Sequence, residues 1–299
     1  MPEAAKYFAA SIIGVVGGVL LQKYILATRR SQSRTQITQY RERQGGRPRR
    51  VILVRHGESE ANVDRKITAR VPDYDLHLTK TGRQQAVEAG GRLRELIGKS
   101  TVHFIISPYT RTRETFMGLA AAWGGPINVK YTEELLTREQ DFGNFDREDM
   151  KEIHKEKKDF GSFFFRFPEG ESPTDVYNRA SLFLESLYRR WEHSKEENLV
   201  IVSHGGFLMI FLMRLFRFSH DDYYNYDLLK NCEFVVLERP ADSNTYEVSY
   251  TLTADGTKTL GRLRPKPADK VEKVKTEIWN GDLDAPLIQS TSKRSSILS

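Results

Sequence analysis

The sequence contains almost no cysteine: Cys232 is its one thiol among 299 residues. A single thiol cannot form an intrachain disulfide, and it excludes a cysteine-rich zinc site. The chain is therefore suited to a reducing compartment, and it does not belong among the small secreted domains that disulfides hold together.

The chain has no net positive charge outside its N-terminal region. The formal net charge is +6, but residues 1–50 alone carry ten Lys and Arg against Glu3 and Glu42, a local balance of +8. The rest of the chain is therefore slightly acidic. It lacks the clustered basic surface that nucleic-acid binding requires, so we expect no nucleic-acid partner.

Long apolar runs are absent except near the N-terminus. Tyr7 to Leu21 is apolar apart from Ser11, and it reaches membrane-spanning length only when the stretch to Ala27 is included. A cleaved signal peptide fits poorly because basic residues follow the apolar run, and a mitochondrial presequence should carry arginine within its helix. We therefore expect a retained transmembrane anchor over residues 1–28.

The anchor has consequences for topology and assembly. The positive-inside rule places the basic side in the cytosol, which predicts a single-pass protein whose main domain faces the cytosol. The short span favours the endoplasmic reticulum or the mitochondrial outer membrane. Gly14 and Gly18 form a GxxxG pair, so a homodimer through the anchor is one expectation.

The rest of the chain divides by composition. Residues 29–50 form a basic polar linker, 51–260 a folded domain, and 261–299 a Lys-, Pro- and Ser-rich tail that we predict to be poorly ordered. Within the folded domain, short apolar runs predict strands at 51–54, 102–106, 127–131 and 199–203, and two edge strands within 232–238 and 246–252. Helical spacing occurs at 79–96, 112–123 and 172–193, and an apolar helix follows Gly206. The alternation predicts an α/β three-layer sandwich with a mostly parallel central sheet flanked by helices.

Two histidines directly follow buried strands. The first lies in RHG at 55–57 and the second in SHGG at 203–206; Arg111 follows a third strand end. Ligand sites in open α/β sheets lie at the carboxyl ends of strands, so we expect His56, His204 and Arg111 to meet in one crevice. Glycine after each histidine lets a substrate approach the backbone, and arginine suits a two-pronged grip on phosphate.

These residues belong to a longer pattern that resembles a known family. RHGESEAN at 55–62 is very similar to the signature of the histidine phosphatase superfamily, in its phosphoglycerate-mutase-like branch. Further matching segments follow in the family's order: LTKTGRQQA at 78–86, SPYTRTRET at 107–115, REQDFGNF at 138–145, FPEGES at 167–172 and VSHGG at 202–206. The set covers roughly residues 50–255 and also resembles a plant and fungal subgroup of mutase-like proteins that behave as phosphatases.

The resemblance implies roles for individual residues. His56 would be the nucleophile that becomes phosphorylated. The phosphate would be held by Arg55, Asn62, Arg111, His204 and Gly205. The positive charge of this site should help to keep His56 unprotonated. Neither a metal nor another cofactor is implied.

The resemblance also calls for a carboxylic acid that protonates the leaving group. The family places this glutamate four residues before a glycine, and Glu139 stands four residues before Gly143. Glu139 is therefore the expected acid, while Glu133 and Glu134 stay as alternatives.

The resulting hypothesis is a membrane-anchored, metal-independent phosphatase that hydrolyses phosphomonoesters of small molecules or phosphoproteins. One alternative is a phosphoglycerate-type mutase, although the interval 146–167 lacks the arginine pair that such mutases use for a second phosphate. Another is a membrane-tethered scaffold or transport-assisting protein with a vestigial core. We interpret the phenylalanines at 163–165 and 167 as core packing, with an apolar wall beside the pocket as the alternative. Ser59 and Ser107 are interpreted as turn or capping residues.

Overall fold

The computed structural model describes residues 46–143, 150–191, 194–240, 243, 245–253, 256–260 and 263. The predicted anchor, most of the linker and nearly all of the tail lie outside these residues. Within the described ranges, no helix is both long enough and apolar enough to cross a membrane.

Seven strands of the described residues form one sheet in the order β3-β2-β4-β1-β5-β6-β7. Their bounds are β1 Arg50–Arg55, β2 Val102–Ile106, β3 Lys130–Glu133, β4 Asn198–Ser203, β5 Phe234–Glu238, β6 Glu247–Leu252 and β7 Lys258–Leu260. Strands β3, β2, β4 and β1 pair in parallel, whereas β5, β6 and β7 add on in antiparallel fashion.

The α/β prediction is confirmed, but the sheet is mixed rather than mostly parallel. The connections from β5 to β6 and from β6 to β7 are short, and short connections join antiparallel strands; parallel strands need a longer crossover. The prediction that β5 and β6 are edge strands is wrong as well. Each has a neighbour on both sides, because β7 covers the far side of β6.

Helices cover both faces of this sheet. They are α1 Glu60–Val63, α2 Lys80–Ile97, α3 Thr110–Ala120, α4 Met150–Phe160, α5 Pro173–Trp191, α6 Gly205–Phe216 and α7 Asp222–Asn225, together with short 3₁₀ turns. Local capping explains where α2 and α5 begin. The Thr79 hydroxyl accepts a hydrogen bond from Gly82 N, and the Ser172 hydroxyl accepts one from Asp175 N.

Alternate residues of the central strands face two separate cores. Val51 and Leu53 of β1 pack with residues of α5 and α6. Ile52 and Val54 pack on the opposite face with residues of α2 and α3. This period-two pattern, buried on both sides, produces the three layers.

The phenylalanine-rich segment before α5 behaves mainly as predicted. Phe163, Phe165 and Phe167 are buried, which confirms core packing for these three. Phe164 differs, because half of its surface is exposed and its ring lies against His220.

The register of β1, β4 and β2 brings together the residues that follow these three strands. Strand β4 lies between β1 and β2, with Arg55 opposite Ser203 and Ile106 opposite Val202. The next residue of each chain segment therefore leaves the sheet at the same edge. These residues are His56, His204 and Ser107.

Candidate active site

The two strand-end histidines meet as the sequence predicts. Their ring centroids are 5.3 Å apart, and both side chains are almost completely buried. His56 Nδ1 lies 2.7 Å from the carbonyl oxygen of Gly57. A carbonyl only accepts, so Nδ1 must carry the proton. The Nε2 lone pair of a neutral His56 is thereby left for chemistry.

His56 is kept neutral by its surroundings. Burial is the first cause that lowers its pKa well below the ordinary value, followed by the positive charges of Arg111 and Arg55. The effect of the charges could be expected from the sequence, whereas the larger effect of burial could not. Burial and the same arginines also lower the pKa of His204 well below its usual value. Both rings are therefore uncharged at neutral pH.

The two arginines flank these rings from different elements. Arg55 ends β1 and donates through Nη1 to the carbonyl of Leu229 at 2.6 Å, while its buried Nε has no partner among the described residues. Arg111 lies in the first turn of α3, is 4% exposed, and donates to the backbone and carboxylate of Asp73. Asp73 therefore fixes Arg111 while leaving other N–H groups for an anion.

Ser107 and Tyr109 both contact the ring of His204. The Ser107 hydroxyl lies 2.8 Å from His204 Nε2, so Ser107 is more than the turn or capping residue that we predicted. When this hydroxyl donates to Nε2, the proton of the neutral ring resides on Nδ1, which is buried and has no described partner. The Tyr109 ring packs edge-on against His204 and beneath Arg111, and burial raises its pKa to about 12.

Asn62 lies on α1, within the loop that follows β1. Its carbonyl oxygen accepts from the backbone and hydroxyl of Ser59, which caps α1 as predicted, and from Asn231 Nδ2. Asn231 also donates to the carbonyl of His56 at 3.0 Å. Only the Nδ2 group of Asn62 is thus available to an anion.

Of the three glutamates considered, Glu139 is the one whose hydrogen bonds reach the helix that follows His204. Its carboxylate accepts from Gly206 N at 3.4 Å and Phe207 N at 3.2 Å, at the N-terminus of α6, where a helix favours negative charge. Glu133 instead forms an ion pair with Arg113, and Glu134 caps a 3₁₀ turn at Leu136 N.

Gly205 and Gly206 open α6 between these groups. A Cβ on Gly205 would contact the Arg55 side chain at 3.4 Å, and a Cβ on Gly206 would lie 2.8 Å from Glu139 Oε1. The distance at Gly205 is an ordinary van der Waals contact, whereas the carboxylate approaches the backbone at Gly206 so closely that a side chain there would displace it.

Several contributors were not found from the sequence alone. Ser107, Tyr109 and Arg111 lie in one segment, so the segment that gave Arg111 could also have drawn attention to its neighbours. Asp73 and Asn231 lie in loops without a recognisable pattern. In the part of the chain that the structure describes, no group of three or more His, Cys, Asp or Glu side chains is placed to hold a metal ion.

The fold and this arrangement of histidines, arginines and a carboxylate define a histidine phosphatase domain. Residues 51–250 match the sequence model of the "Histidine phosphatase superfamily (branch 1)", which is more than half of the chain. The chain belongs to this superfamily.

Individual relatives agree with this assignment. The phosphoglycerate mutase-like protein AT74H of Arabidopsis thaliana is 42% identical over 208 residues, which cover 64% of this chain and 74% of that protein. The broad-range acid phosphatase DET1 of Saccharomyces cerevisiae is 26% identical over 294 residues, which cover 67% of this chain and 88% of the yeast protein. The relatives are thus named as phosphatases or as mutase-like proteins.

Solved structures show the same fold. A mycobacterial glucosyl-3-phosphoglycerate phosphatase, in its complex with VO3, superimposes with a TM-score of 0.54 and 21% identity. The match covers 67% of this chain and 97% of that structure. At this level of identity, the similarity extends to the fold alone.

Proposed function

We propose that this protein hydrolyses phosphomonoesters without a metal ion, through a phosphohistidine at His56. The observation that carries the proposal is the His56 ring: it is buried and neutral, its Nδ1 proton is engaged by Gly57, and two arginines lie beside it. A neutral imidazole with a free Nε2 is the form that attacks phosphorus.

In the first step, His56 Nε2 forms a bond to phosphorus while the ester P–O bond breaks. Arg55 and Arg111 stabilise the negative charge that spreads over the nonbridging oxygens. His204 Nδ1–H and Asn62 Nδ2 donate to the same oxygens. Protonated Glu139 transfers its proton to the leaving alkoxide.

In the second step, Glu139 acts as the base. It takes a proton from water, the water oxygen bonds to phosphorus, and the P–N bond to His56 breaks to release inorganic phosphate. The two N–H groups of α6 that contact Glu139 stabilise its carboxylate form between the steps.

A direct test compares the full chain with His56→Ala on 4-nitrophenyl phosphate, with and without a chelator. We expect turnover that survives chelation and is lost in His56→Ala, and an acid-labile phosphoenzyme in the parent chain only. His220→Ala is the matched control, because His220 is exposed and, among the charged groups that the structure describes, its partner is Asp221. Equal turnover in the parent chain and His56→Ala would contradict the proposal, as would complete loss on chelation.

Mutase activity is distinguished in the same preparation. A mutase would move phosphate between positions of a phosphoglycerate faster than it releases inorganic phosphate. We expect release to dominate, and the opposite ratio would replace the phosphatase proposal by the mutase alternative.

We further propose that the N-terminal segment anchors the protein to a membrane with the phosphatase domain in the cytosol. The support is the apolar run over residues 7–21 followed by arginines from Arg29 onward. Fractionation of cells that express the full chain tests this proposal. Recovery in the carbonate-resistant membrane pellet is expected, and recovery in the soluble fraction would contradict it.

A further inference from the structure

We propose that Arg179 is a positioning residue for the reaction: it holds the backbone of the segment that carries Glu139, so that the carboxylate meets the leaving group. This inference rests on the proposed function, because it requires Glu139 to be the proton donor and acceptor. Arg179 lies in α5. Its charge helps to lower the pKa of His204, but the hydrogen bonds that it forms with described residues go to Glu171 and to the backbone of the segment that carries Glu139.

Arg179 uses its guanidinium as a clamp on the acid-bearing segment. Nη1 donates to the carbonyls of Leu136 and Arg138 at 2.9 and 2.7 Å, and Nη2 donates to the carbonyl of Glu139 itself at 3.0 Å. One side chain therefore fixes three backbone carbonyls that surround the acid. The five N–H donors of arginine suit this role, whereas lysine has a single nitrogen.

Glu171 holds the clamp from the other side. Its two carboxylate oxygens accept from Arg179 Nε at 3.0 Å and Nη2 at 2.9 Å, and Arg138 adds a further bond at 2.6 Å. Arg179 is 6% exposed, and Glu171 compensates its buried positive charge. Glu171 Oε2 also accepts from Asp141 N, two residues beyond Glu139.

The segment is also held near both of its ends. Ser203, at the end of β4, donates to the carbonyl of Thr137 at 2.6 Å. On the other side of Glu139, the backbone N–H of Glu171 donates to the carbonyl of Asp141 at 2.6 Å. The Arg179 clamp thus fixes the part between these two bonds, which is where Glu139 lies.

The chemistry predicts which steps depend on this clamp. A poor leaving group, such as the alkoxide of glycerol 2-phosphate, needs a proton from Glu139, whereas 4-nitrophenolate departs without one. The second step needs Glu139 as a base for every substrate. Misplacing Glu139 should therefore slow alkyl phosphates strongly, and it should make the phosphoenzyme accumulate with 4-nitrophenyl phosphate.

The experiment uses the full chain with Arg179→Lys, Glu139→Gln and the double variant. Arg190→Lys is the matched control, because Arg190 lies on the same helix and bonds Thr132, away from the acid segment. For Arg179→Lys we expect kcat on glycerol 2-phosphate to fall by about 10- to 100-fold. The KM should change little, and 4-nitrophenyl phosphate should give a burst of about one nitrophenolate per enzyme. The double variant should be no slower than Glu139→Gln.

Two sets of results separate the possible failures. If Glu139→Gln turns over both substrates like the parent chain, the proposed role of Glu139 fails and the inference falls with it. If Glu139→Gln is slow on glycerol 2-phosphate and gives a burst with 4-nitrophenyl phosphate, the proposed role of Glu139 stands, and three results would overturn the inference alone. Arg179→Lys could show parental kinetics, or it could lose equal activity on both substrates without a burst. The third result is a double variant in which the two losses of kcat multiply. Should Arg179→Lys not fold, the same comparison with Glu171→Gln decides, since Glu171 holds the clamp.

Discussion

The substitution Gly206→Ala tests whether proton transfer by Glu139 requires the position in which the N-terminus of α6 holds its carboxylate. The added Cβ would lie 2.8 Å from Glu139 Oε1 and 3.5 Å from its Cδ. Since nonbonded heavy atoms prefer a wider separation, the carboxylate must retreat by about 0.5 Å or more. Its retreat weakens the bonds from Gly206 N and Phe207 N, which are already 3.4 and 3.2 Å long.

The expected result is a loss of activity without a loss of stability. Misplacing a reacting group by about 1 Å can cost about 10²-fold, so we expect a 10- to 100-fold lower kcat on glycerol 2-phosphate. The crowded atom is the far end of a flexible side chain, and alanine is a better helix former than glycine by up to about 1 kcal/mol. The free energy of unfolding should therefore change by less than about 1 kcal/mol.

The assay measures kcat on glycerol 2-phosphate and on 4-nitrophenyl phosphate, together with urea unfolding. Gly91→Ala is the matched control, because Gly91 lies within α2 and a Cβ there meets nothing within 4 Å. The control should keep parental kinetics. Parental turnover of glycerol 2-phosphate by Gly206→Ala would refute the reasoning. Equal losses on both substrates without a burst of nitrophenolate would place the damage in the phosphate site instead.

Two further predictions concern stability. The pKa values of His56 and His204 are lower in the folded protein than in the unfolded chain, so unfolding takes up protons below pH 6.5. Stability should fall on acidification by up to about 1.4 kcal/mol per pH unit for each histidine, and His204→Gln should flatten the urea-unfolding profile between pH 7 and 5; parallel profiles would contradict this. Gly90→Ala should cost about 1–3 kcal/mol, since its Cβ would lie 2.6 Å from the Leu119 carbonyl. Gly91→Ala should stabilise, and similar effects at both positions would disprove the packing argument.

The phosphate side of the site could be predicted because its chemistry is local in sequence. His56 follows Arg55 at one strand end, His204 precedes Gly205 at another, and Arg111 follows a third. Apolar runs of four to six residues reveal buried strands, and the carboxyl ends of parallel strands must share an edge. The approximate bounds of α2 and α5 followed for the same local reason, since capping residues precede the apolar spacing.

The contacts of the expected acid depend on tertiary structure. Glu133, Glu134 and Glu139 are the same residue type within seven residues, and in the sequence only the spacing to Gly143 in the family pattern separates Glu139 from the other two. In the structure, Glu139 is distinguished by its hydrogen bonds with the N-terminus of α6, which join segments more than sixty residues apart. Arg179 likewise depends on the packing of α5 against the segment that carries Glu139.

The antiparallel direction of β5, β6 and β7 could not be predicted from the sequence either. An apolar strand has the same residue pattern in either direction, and the choice depends on how the connections allow β5, β6 and β7 to add beside β1. The sequence by itself determined most of the strands, the longer helices apart from α4, and the choice of His56 as the expected nucleophile, because these depend on neighbouring residues. Tertiary structure decided the direction of the last three strands, the burial that keeps His56 neutral, and the contact of Glu139 with α6, because these depend on contacts between distant segments.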